Sequence, residues 1–159
     1  MMTALVLTIS DSCHAGTRVD GSGPAVCGRL EAAGFVVSGI EVLPDERGLI
    51  AARLLELAES RVANVVFTTG GTGVALRDVT PEATADVIER PVPGLGERMR
   101  SEGLKHTPLA ALSRAIAGTR GRTLIVNLPG SPKGAVESLD AILELIPHMV
   151  RLLEGQTGH

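Results

Sequence analysis

Aromatic residues are almost absent from this sequence, which contains no Trp, no Tyr and two Phe. Proteins that bind single-stranded nucleic acids stack the bases on aromatic side chains, and proteins that bind duplexes neutralise phosphates with a basic surface. This chain has neither feature, because its net charge at pH 7 is −3. We therefore expect no nucleic-acid partner, and we expect a core built from Val, Leu, Ile and Ala.

Cysteine and long apolar runs are also scarce. Cys13 and Cys27 form no CxxC motif, and the four histidines show no zinc-finger spacing, so neither a metal finger nor a disulfide framework is expected. His14 follows Cys13, but neighbours in sequence need not meet in space, so the pair is a poor candidate for thiol chemistry. No run reaches the roughly 20 apolar residues of a membrane span, and the first residues lack the features of a signal peptide. These absences predict a cytoplasmic protein with reduced thiols and no membrane contact.

Short apolar runs alternate with helical patterns along the chain. Strands are predicted over residues 4–10, 35–43, 64–70 and 121–132, and helices over 22–34, 45–60, 81–90 and 133–155. Ser22 is the predicted N-cap of the first helix, and Pro147 is expected to kink the last one. Residues 91–118 are less regular, and we predict a loop, a helix from about Gly96 and a second helix near 108–117.

This alternation is typical of a mostly parallel sheet covered by helices on both faces. The predicted fold class is therefore α/β, arranged as a three-layer sandwich. Because no linker or composition shift divides the chain, we expect a single domain over residues 1–155, followed by a flexible tail over 156–159.

The segment TTGGTG, residues 68–73, joins the third predicted strand to the next helix. Gly70, Gly71 and Gly73 could simply form a tight turn that needs positive φ. Alternatively, their backbone N–H groups could receive phosphate oxygens, with help from the threonine hydroxyls. The number of glycines and threonines favours an anion site, although the segment matches neither the Walker loop nor the GxGxxG fingerprint.

Two carboxylates follow predicted strands at the same edge of the sheet, where ligands bind in folds of this class. Asp45 alone could be a helix cap, and Asp78 alone could pair with Arg77 or cap the helix that starts near Pro81. Together, beside a glycine-rich loop, they favour a different interpretation. Mg²⁺ is usually held by one or two carboxylates with substrate phosphates, so the pattern indicates phosphoryl or nucleotidyl transfer.

Two other loops are expected at this edge. SDS, residues 10–12, follows the first strand, and NLPGSP, residues 127–132, follows the last. The second loop could be only a rigid Pro-Gly turn, but Ser131 and the backbone around Gly130 would also face the ligand.

The combined pattern closely resembles the molybdopterin adenylyltransferase family of MogA/MoaB type, which includes the G domain of gephyrin. The matching motifs are TTGGTGVALRDVTPEAT, LPDE, SDS with DGSG, PGLGERMR, ALSRAIAG and NLPGSPKGAVESL, and they run collinearly from about Val6 to Leu139. The resemblance implies a homotrimer that uses Mg²⁺ and ATP to adenylylate molybdopterin with release of pyrophosphate. It also implies a downstream molybdate-insertion enzyme as a partner.

The resemblance also implies roles for individual residues. Its two functional aspartates match Asp45 and Asp78, which are the expected catalytic and Mg²⁺-holding residues. With the loops described above, the expected substrate- and nucleotide-binding residues are Ser10, Asp11, Thr69, Gly70, Gly71, Thr72, Gly73, Thr80, Pro81, Glu97, Ser113, Pro129, Gly130 and Ser131. Two departures are slight: Ser131 stands where Asn or Gln is expected, and Glu46 stands where some relatives carry a second Asp.

Two alternatives stay open at this point. The chain could be a non-catalytic relative that binds molybdopterin or serves as a scaffold, although the intact pair Asp45 and Asp78 disfavours this. It could also be an enzyme of the competence-damage type, which acts on nicotinamide nucleotides. The complete RDVTPEAT and PGLGERMR motifs disfavour this second alternative.

Overall fold

A computed structural model describes residues 1–158 and confirms the expected α/β fold. Its strands are β1 (Thr3–Ile9), β2 (Val36–Leu43), β3 (Val65–Thr69), β4 (Arg90–Pro91), β5 (Ala117–Arg120) and β6 (Thr123–Leu128). Its α-helices are α1 (Asp11–His14), α2 (Ser22–Ala32), α3 (Arg47–Ser60), α4 (Thr80–Ala85), α5 (Pro93–Gly103), α6 (Pro132–Ile142) and α7 (Ile146–Leu153), with 3₁₀ turns at Pro108–Leu112 and Leu143–Leu145. The last residue of the predicted tail, His159, lies outside the described residues.

The six strands form one sheet in the order β2-β1-β3-β6-β5-β4. The first four are parallel, and the last two pair antiparallel at one edge. Thr69, at the end of β3, lies opposite Thr8 of β1 and Leu128 of β6. The loops that follow these strands therefore leave the sheet side by side, which is what brings the site together.

Apolar side chains cover both faces of the sheet, as expected for parallel strands that are buried on each side. One cluster joins Phe67 of β3 to α2, α5, α6 and α7, and the other joins Val66 of β3 to α3 and the α4 region. Phe67 and Val66 are both fully buried, and each such side chain contributes roughly 1.5–3 kcal/mol through its burial. This rigid three-layer core carries the loops at the carboxyl edge. Nowhere in residues 1–158 is a helix both long and apolar enough to cross a membrane.

Several boundaries differ from the sequence-based prediction. The helix expected over 81–90 ends at Ala85, and the helix expected near 108–117 is a short 3₁₀ turn followed by β5. The strands β4 and β5 were not predicted, because they have two and four residues and no clear alternation. Pro147 occupies the first turn of α7, so the expected kink is a break between two helices, since Pro removes a helical hydrogen bond and fits the first turn.

The predicted cap at Ser22 and the alternative of a cap at Asp45 are both wrong. The N-cap of α2 is Gly21 rather than Ser22, and the buried Ser22 hydroxyl instead shares a hydrogen bond of 2.8 Å with Thr69 Oγ1. The helix α3 begins at Arg47 with Glu46 as its N-cap, so Asp45 lies before the helix and does not cap it. Its carboxylate is therefore available to the site.

Candidate active site

Two glycines shape the loop that follows β3. Gly70 and Gly71 adopt φ values of +92° and +67°, which side chains with a Cβ rarely adopt. A Cβ on Gly70 would run into the carbonyl oxygen of Ile9, and a Cβ on Gly71 would collide with Thr80 Oγ1. The glycines thus allow the loop to approach β1 and α4 closely. The turn explanation and the ligand explanation are both compatible with this geometry.

The N–H groups of this loop separate the two explanations. Gly70, Ala75 and Thr80 donate to protein acceptors at 3.0–3.1 Å. By contrast, the consecutive N–H groups of Gly71, Thr72 and Gly73 have no acceptor among residues 1–158. A run of unpaired backbone donors in a left-handed turn is a typical anion-binding arrangement, so the loop can accept phosphate oxygens.

Asp45 and Asp78 approach the same loop from two sides. Asp45 Oδ1 lies 3.1 Å from the position of a Cβ on Gly71, and Asp78 Oδ2 lies 2.9 Å from that on Gly73. Both carboxylates line one cavity of about 380 Å³, which we call the acidic cavity. The two aspartates expected to act together are therefore brought together, although they lie 33 positions apart in the chain, on loops that follow different strands.

The two specific alternatives for these aspartates, helix capping and pairing of Asp78 with Arg77, are wrong. Asp45 Oδ2 accepts the N–H of Asp11 at 2.9 Å, and Asp11 Oδ1 accepts the N–H of Asp45 at 3.0 Å. Arg77 donates to Asp11 at 2.8 and 2.9 Å rather than to Asp78. Asp78 Oδ2 accepts the N–H of Ala75 at 3.1 Å, and α4 has no side-chain cap. Neither residue caps a helix.

The charges around Asp45 favour a bound cation. Burial raises the pKa of Asp45 above its ordinary value, and the nearby carboxylates of Asp11 and Asp78 act in the same direction. The Arg77 guanidinium donates hydrogen bonds to Asp11 and lowers the pKa of that carboxyl group. Asp11 is thus paired with Arg77, whereas Asp45 and Asp78 form no salt bridge within residues 1–158, and a cation would relieve the repulsion at Asp45.

The donor set fits a hard divalent cation such as Mg²⁺. In the described part of the chain, no group of three or more His, Cys, Asp or Glu side chains could form a complete metal cage. Asp45 and Asp78 offer only carboxylate oxygens, which suit Mg²⁺ when phosphates supply further ligands. These two residues could therefore hold the ion with a substrate, rather than in a dedicated protein cage.

A second cavity of about 480 Å³ adjoins the first. Met99, Leu109, Leu112 and Ala115 are among its lining residues, and we call it the apolar cavity. The residues that line both cavities are Gly71, Asp78, Gly130 and Ser131. The apolar cavity suits a planar heterocycle and the acidic cavity suits phosphates with a cation, so a reacting phosphate would lie where the two meet.

Most of the expected ligand residues lie on these walls. Four of them line only the acidic cavity: Ser10, Asp45, Thr69 and Gly70. Four others line only the apolar cavity: Thr72, Gly73, Ser113 and Pro129. Ser131 borders both, but its hydroxyl also accepts the N–H of Gly134 at 3.1 Å and caps α6. These positions do not test the ligand roles, which stay predictions.

Four expected residues lie elsewhere. Asp11 contacts Asp45, as described above, and does not line either cavity. Thr80 is fully buried and donates to the carbonyl of Gly70 at 3.0 Å, so it supports the loop from beneath. Pro81 is buried in the first turn of α4. Glu97 lines a third cavity, which adjoins the apolar cavity at Gly96, Arg100 and Ala115.

Sequence reasoning missed Arg114, which follows the expected ligand Ser113 in the motif ALSR. Its guanidinium contacts Glu82, 32 positions earlier, and a pairing at that separation leaves no local pattern. It also missed Glu137, which lines the apolar cavity from α6. Only the fold reveals that these residues are near the site.

Comparison with known proteins gives a consistent answer. The family model described as a probable molybdopterin binding domain matches residues 5–148. A molybdopterin adenylyltransferase of Helicobacter pylori J99 is 43% identical over 154 residues, which cover 94% of this chain and 86% of that protein. The protein of the same name from Escherichia coli K12 is 38% identical over 164 residues, with 94% and 84% covered.

A solved structure shows the same agreement in three dimensions. The molybdopterin biosynthesis enzyme MoaB from Thermus thermophilus is 49% identical, covers 98% of each chain and superposes with a TM-score of 0.90. Sequence motifs, strand order and relatives therefore agree over nearly the whole chain, and this protein belongs to the molybdopterin-binding domain family of MogA/MoaB type.

Proposed function

We propose that this chain is a molybdopterin adenylyltransferase of molybdenum cofactor biosynthesis. It transfers AMP from ATP to molybdopterin and releases pyrophosphate. The observation that carries the proposal is the approach of Asp45 and Asp78 to the unpaired N–H groups of one glycine loop. The names of relatives at 38–43% identity support the same activity, and they favour it over chemistry on nicotinamide nucleotides.

Each part of the site has a role in this reaction. The N–H groups of Gly71, Thr72 and Gly73 bind phosphate oxygens and fix the orientation of ATP. Asp45 and Asp78 would hold Mg²⁺, which when bound would offset the charge that builds on the phosphates. A terminal phosphate oxygen of molybdopterin attacks the α-phosphorus of ATP; the new P–O bond forms as the bond to pyrophosphate breaks. The apolar cavity holds a heterocyclic ring and excludes water from the junction.

The assembly and partners are part of the same proposal. We expect a homotrimer in the cytoplasm, where the free thiols Cys13 and Cys27 stay reduced. The product passes to an enzyme that inserts molybdate. The second candidate function is a molybdopterin-binding relative without catalysis. It is disfavoured because a pure binding protein has no need for two carboxylates beside a phosphate loop.

The test is the release of pyrophosphate from Mg-ATP and molybdopterin by Asp78→Asn and Asp45→Asn. We expect each change to lower the rate at least ~100-fold, because charge neutralisation at the phosphates is worth several kcal/mol. Molybdopterin binding should be largely retained. The matched control is Asp86→Asn, which removes a surface carboxylate paired with Arg47 and should leave the rate unchanged.

Two outcomes would contradict the proposal. An undiminished rate in Asp78→Asn would remove the assigned role of that carboxylate. A wild-type protein that binds molybdopterin but releases no pyrophosphate would show the non-catalytic relative instead.

A further inference from the structure

Arg114 makes an unusual set of contacts with the loop that carries Asp78. Its N–H donates to the carbonyl of Thr72 at 2.8 Å. Its guanidinium donates through Nε to the carbonyl of Gly73 at 2.7 Å and through Nη2 to the carbonyl of Asp78 at 2.7 Å. Nη1 binds the Glu82 carboxylate at 2.9 and 2.7 Å. Arg114 therefore forms hydrogen bonds with both ends of the segment 73–78 and with the first turn of α4.

Apart from Arg114, the segment between these ends is tied to the rest of the protein by the ion pair of Arg77 with Asp11, at 2.8 and 2.9 Å. The side chains of Val74 and Leu76 are exposed, Leu76 completely, so no apolar packing anchors the tip. A local turn closes through the N–H of Ala75 and Asp78 Oδ2 at 3.1 Å. That bond fixes the carboxylate relative to its own turn, but it does not fix the turn relative to the sheet. The Arg77–Asp11 pair ties the middle of the turn to α1, and Arg114 ties both of its ends to the chain that leads into β5.

The ion pair with Glu82 in turn orients the guanidinium. Arg114 lowers the pKa of Glu82, which is therefore ionised at neutral pH. The planar fork of an arginine can serve two carbonyls and a carboxylate at once, whereas a lysine ammonium cannot span these acceptors in the same geometry. The arrangement depends on arginine rather than on positive charge alone.

We propose that Arg114 is a positioning residue for adenylyl transfer: it holds the loop that presents Asp78 and the N–H groups of Gly71 to Gly73. This inference rests on the proposed function, because it gives those groups their task. Arg114 does not line either cavity. It acts through the loop and has no direct contact with the substrate.

The experiment compares wild type with Arg114→Lys, Arg114→Gly and Glu82→Gln. For Arg114→Lys we expect kcat to fall about 10- to 100-fold, since a misplacement of about 1 Å in a catalytic group has effects of that size. The Kd for molybdopterin should change less than ~3-fold, and the Mg²⁺ concentration for half-maximal rate should rise. Glu82→Gln should change kcat and Mg²⁺ dependence in the same direction but less, because both carbonyl contacts remain.

A readout without substrate or metal tests the loop directly. Hydrogen exchange of the Ala75 and Asp78 amides, which donate the hydrogen bonds of this segment, should be at least ~10-fold faster in Arg114→Lys, since local opening becomes easier when a tether is lost. The native Arg114 side chain is 39% exposed, so a small cation can reach the space that Arg114→Gly leaves. Added guanidinium at low millimolar concentration should therefore restore part of kcat to this variant. It should not restore Asp78→Asn.

The matched control is Arg98→Lys. Arg98 makes the same kinds of contact, with Nε to the carbonyl of Ala141 at 2.6 Å and Nη2 to Glu144 at 2.7 Å, and its side chain is 47% exposed. It joins α5 to α6, outside the glycine loop. We expect Arg98→Lys to leave kcat, Mg²⁺ dependence and exchange of the loop at wild-type values.

The outcomes separate this inference from the proposed function. If wild type does not adenylylate molybdopterin, the proposed function fails, while hydrogen exchange still tests the tether. If Arg114→Lys has a lower Tm but keeps wild-type kcat, Mg²⁺ dependence and loop exchange, the positioning role is wrong. Should Arg114→Gly fail to fold, Arg114→Lys and Glu82→Gln decide the question.

Discussion

The site depends on side chains that are far apart in the chain: 33 positions separate Asp45 from Asp78, and 66 separate Asp11 from Arg77. The convergence of Asp45 and Asp78 follows from the rule that parallel strands end at one edge, and the structure brings both to one cavity. The partner of Arg77 did not follow from any such rule. Its adjacent residue, Asp78, was the natural guess, but Asp11, 66 positions earlier, takes both hydrogen bonds. Long-range ion pairs depend on side-chain geometry that a one-dimensional pattern does not contain.

At the residue scale, Gly71→Ala should damage the site and the fold together. Its φ of +67° disfavours a Cβ, and that Cβ would collide with Thr80 Oγ1 and lie 3.1 Å from Asp45 Oδ1. We expect a loss of about 1–3 kcal/mol in the free energy of unfolding and a fall in pyrophosphate release of at least ~10-fold. Urea denaturation and the enzymatic assay measure the two effects.

Gly28→Ala is the control, for which we expect the free energy of unfolding to rise rather than fall. Gly28 lies inside α2, and no atom is within 4 Å of a Cβ built there. This change should stabilise the protein by roughly 0.5–1 kcal/mol, because alanine loses less backbone entropy in a helix, and should leave activity unaltered. If Gly71→Ala also behaved in this way, the close packing assigned to the loop would be incorrect.

Whole elements were predicted in proportion to the strength of their apolar patterns. The strands β1, β2, β3 and β6 were all predicted, with boundary differences of up to four residues. The short antiparallel strands were missed, because hydrogen bonds with each other define them more than their own side chains do. The single helix expected over 133–155 is divided at Pro147, since a proline in the first turn of α7 terminates the preceding hydrogen-bond pattern.

The start of α6 gives a prediction at the element scale. Ser131 Oγ accepts the N–H of Gly134 and caps the helix at a position where relatives are expected to carry Asn or Gln. Ser131→Ala should lower the free energy of unfolding by about 1 kcal/mol, whereas Ser131→Asn should stay close to wild type, since asparagine is an equally good N-cap. Thermal and urea unfolding curves measure this difference. Equal losses in the two variants would mean that the hydroxyl stabilises α6 in another way.

At the scale of the whole molecule, the alternation of strand and helix patterns predicted the α/β architecture, and the family motifs extended the match collinearly through segments that have no regular pattern. The irregular region 91–118 illustrates this: its motifs PGLGE and ALSR were recognised, although its secondary structure was partly wrong. No motif predicted how the layers are joined at the surface. One such connection is the ion pair between Glu41 of β2 and Arg53 of α3.

This ion pair predicts how stability depends on pH. Arg53 donates to both carboxylate oxygens of Glu41 at 2.8 and 2.5 Å and also contacts Glu56, and its hydrogen bonds hold the pKa of Glu41 below the ordinary value. A carboxyl group with a lowered pKa in the folded state stabilises the protein above its unfolded pKa, roughly 4.3, and loses that contribution as the pH falls through the folded value.

Glu41→Gln should therefore reduce the free energy of unfolding by about 1 kcal/mol at pH 7, which is typical of a bidentate and partly buried pair. The difference from wild type should shrink below about pH 4 and disappear once the pH is low enough to protonate the wild-type carboxyl in the folded state as well. Urea unfolding at a series of pH values measures it. Glu144→Gln, which removes a 70% exposed partner of Arg98, should cause a smaller loss at pH 7. A Glu41→Gln deficit that stayed constant from pH 7 to pH 2 would show that the glutamate stabilises the β2–α3 contact by packing rather than by its charge.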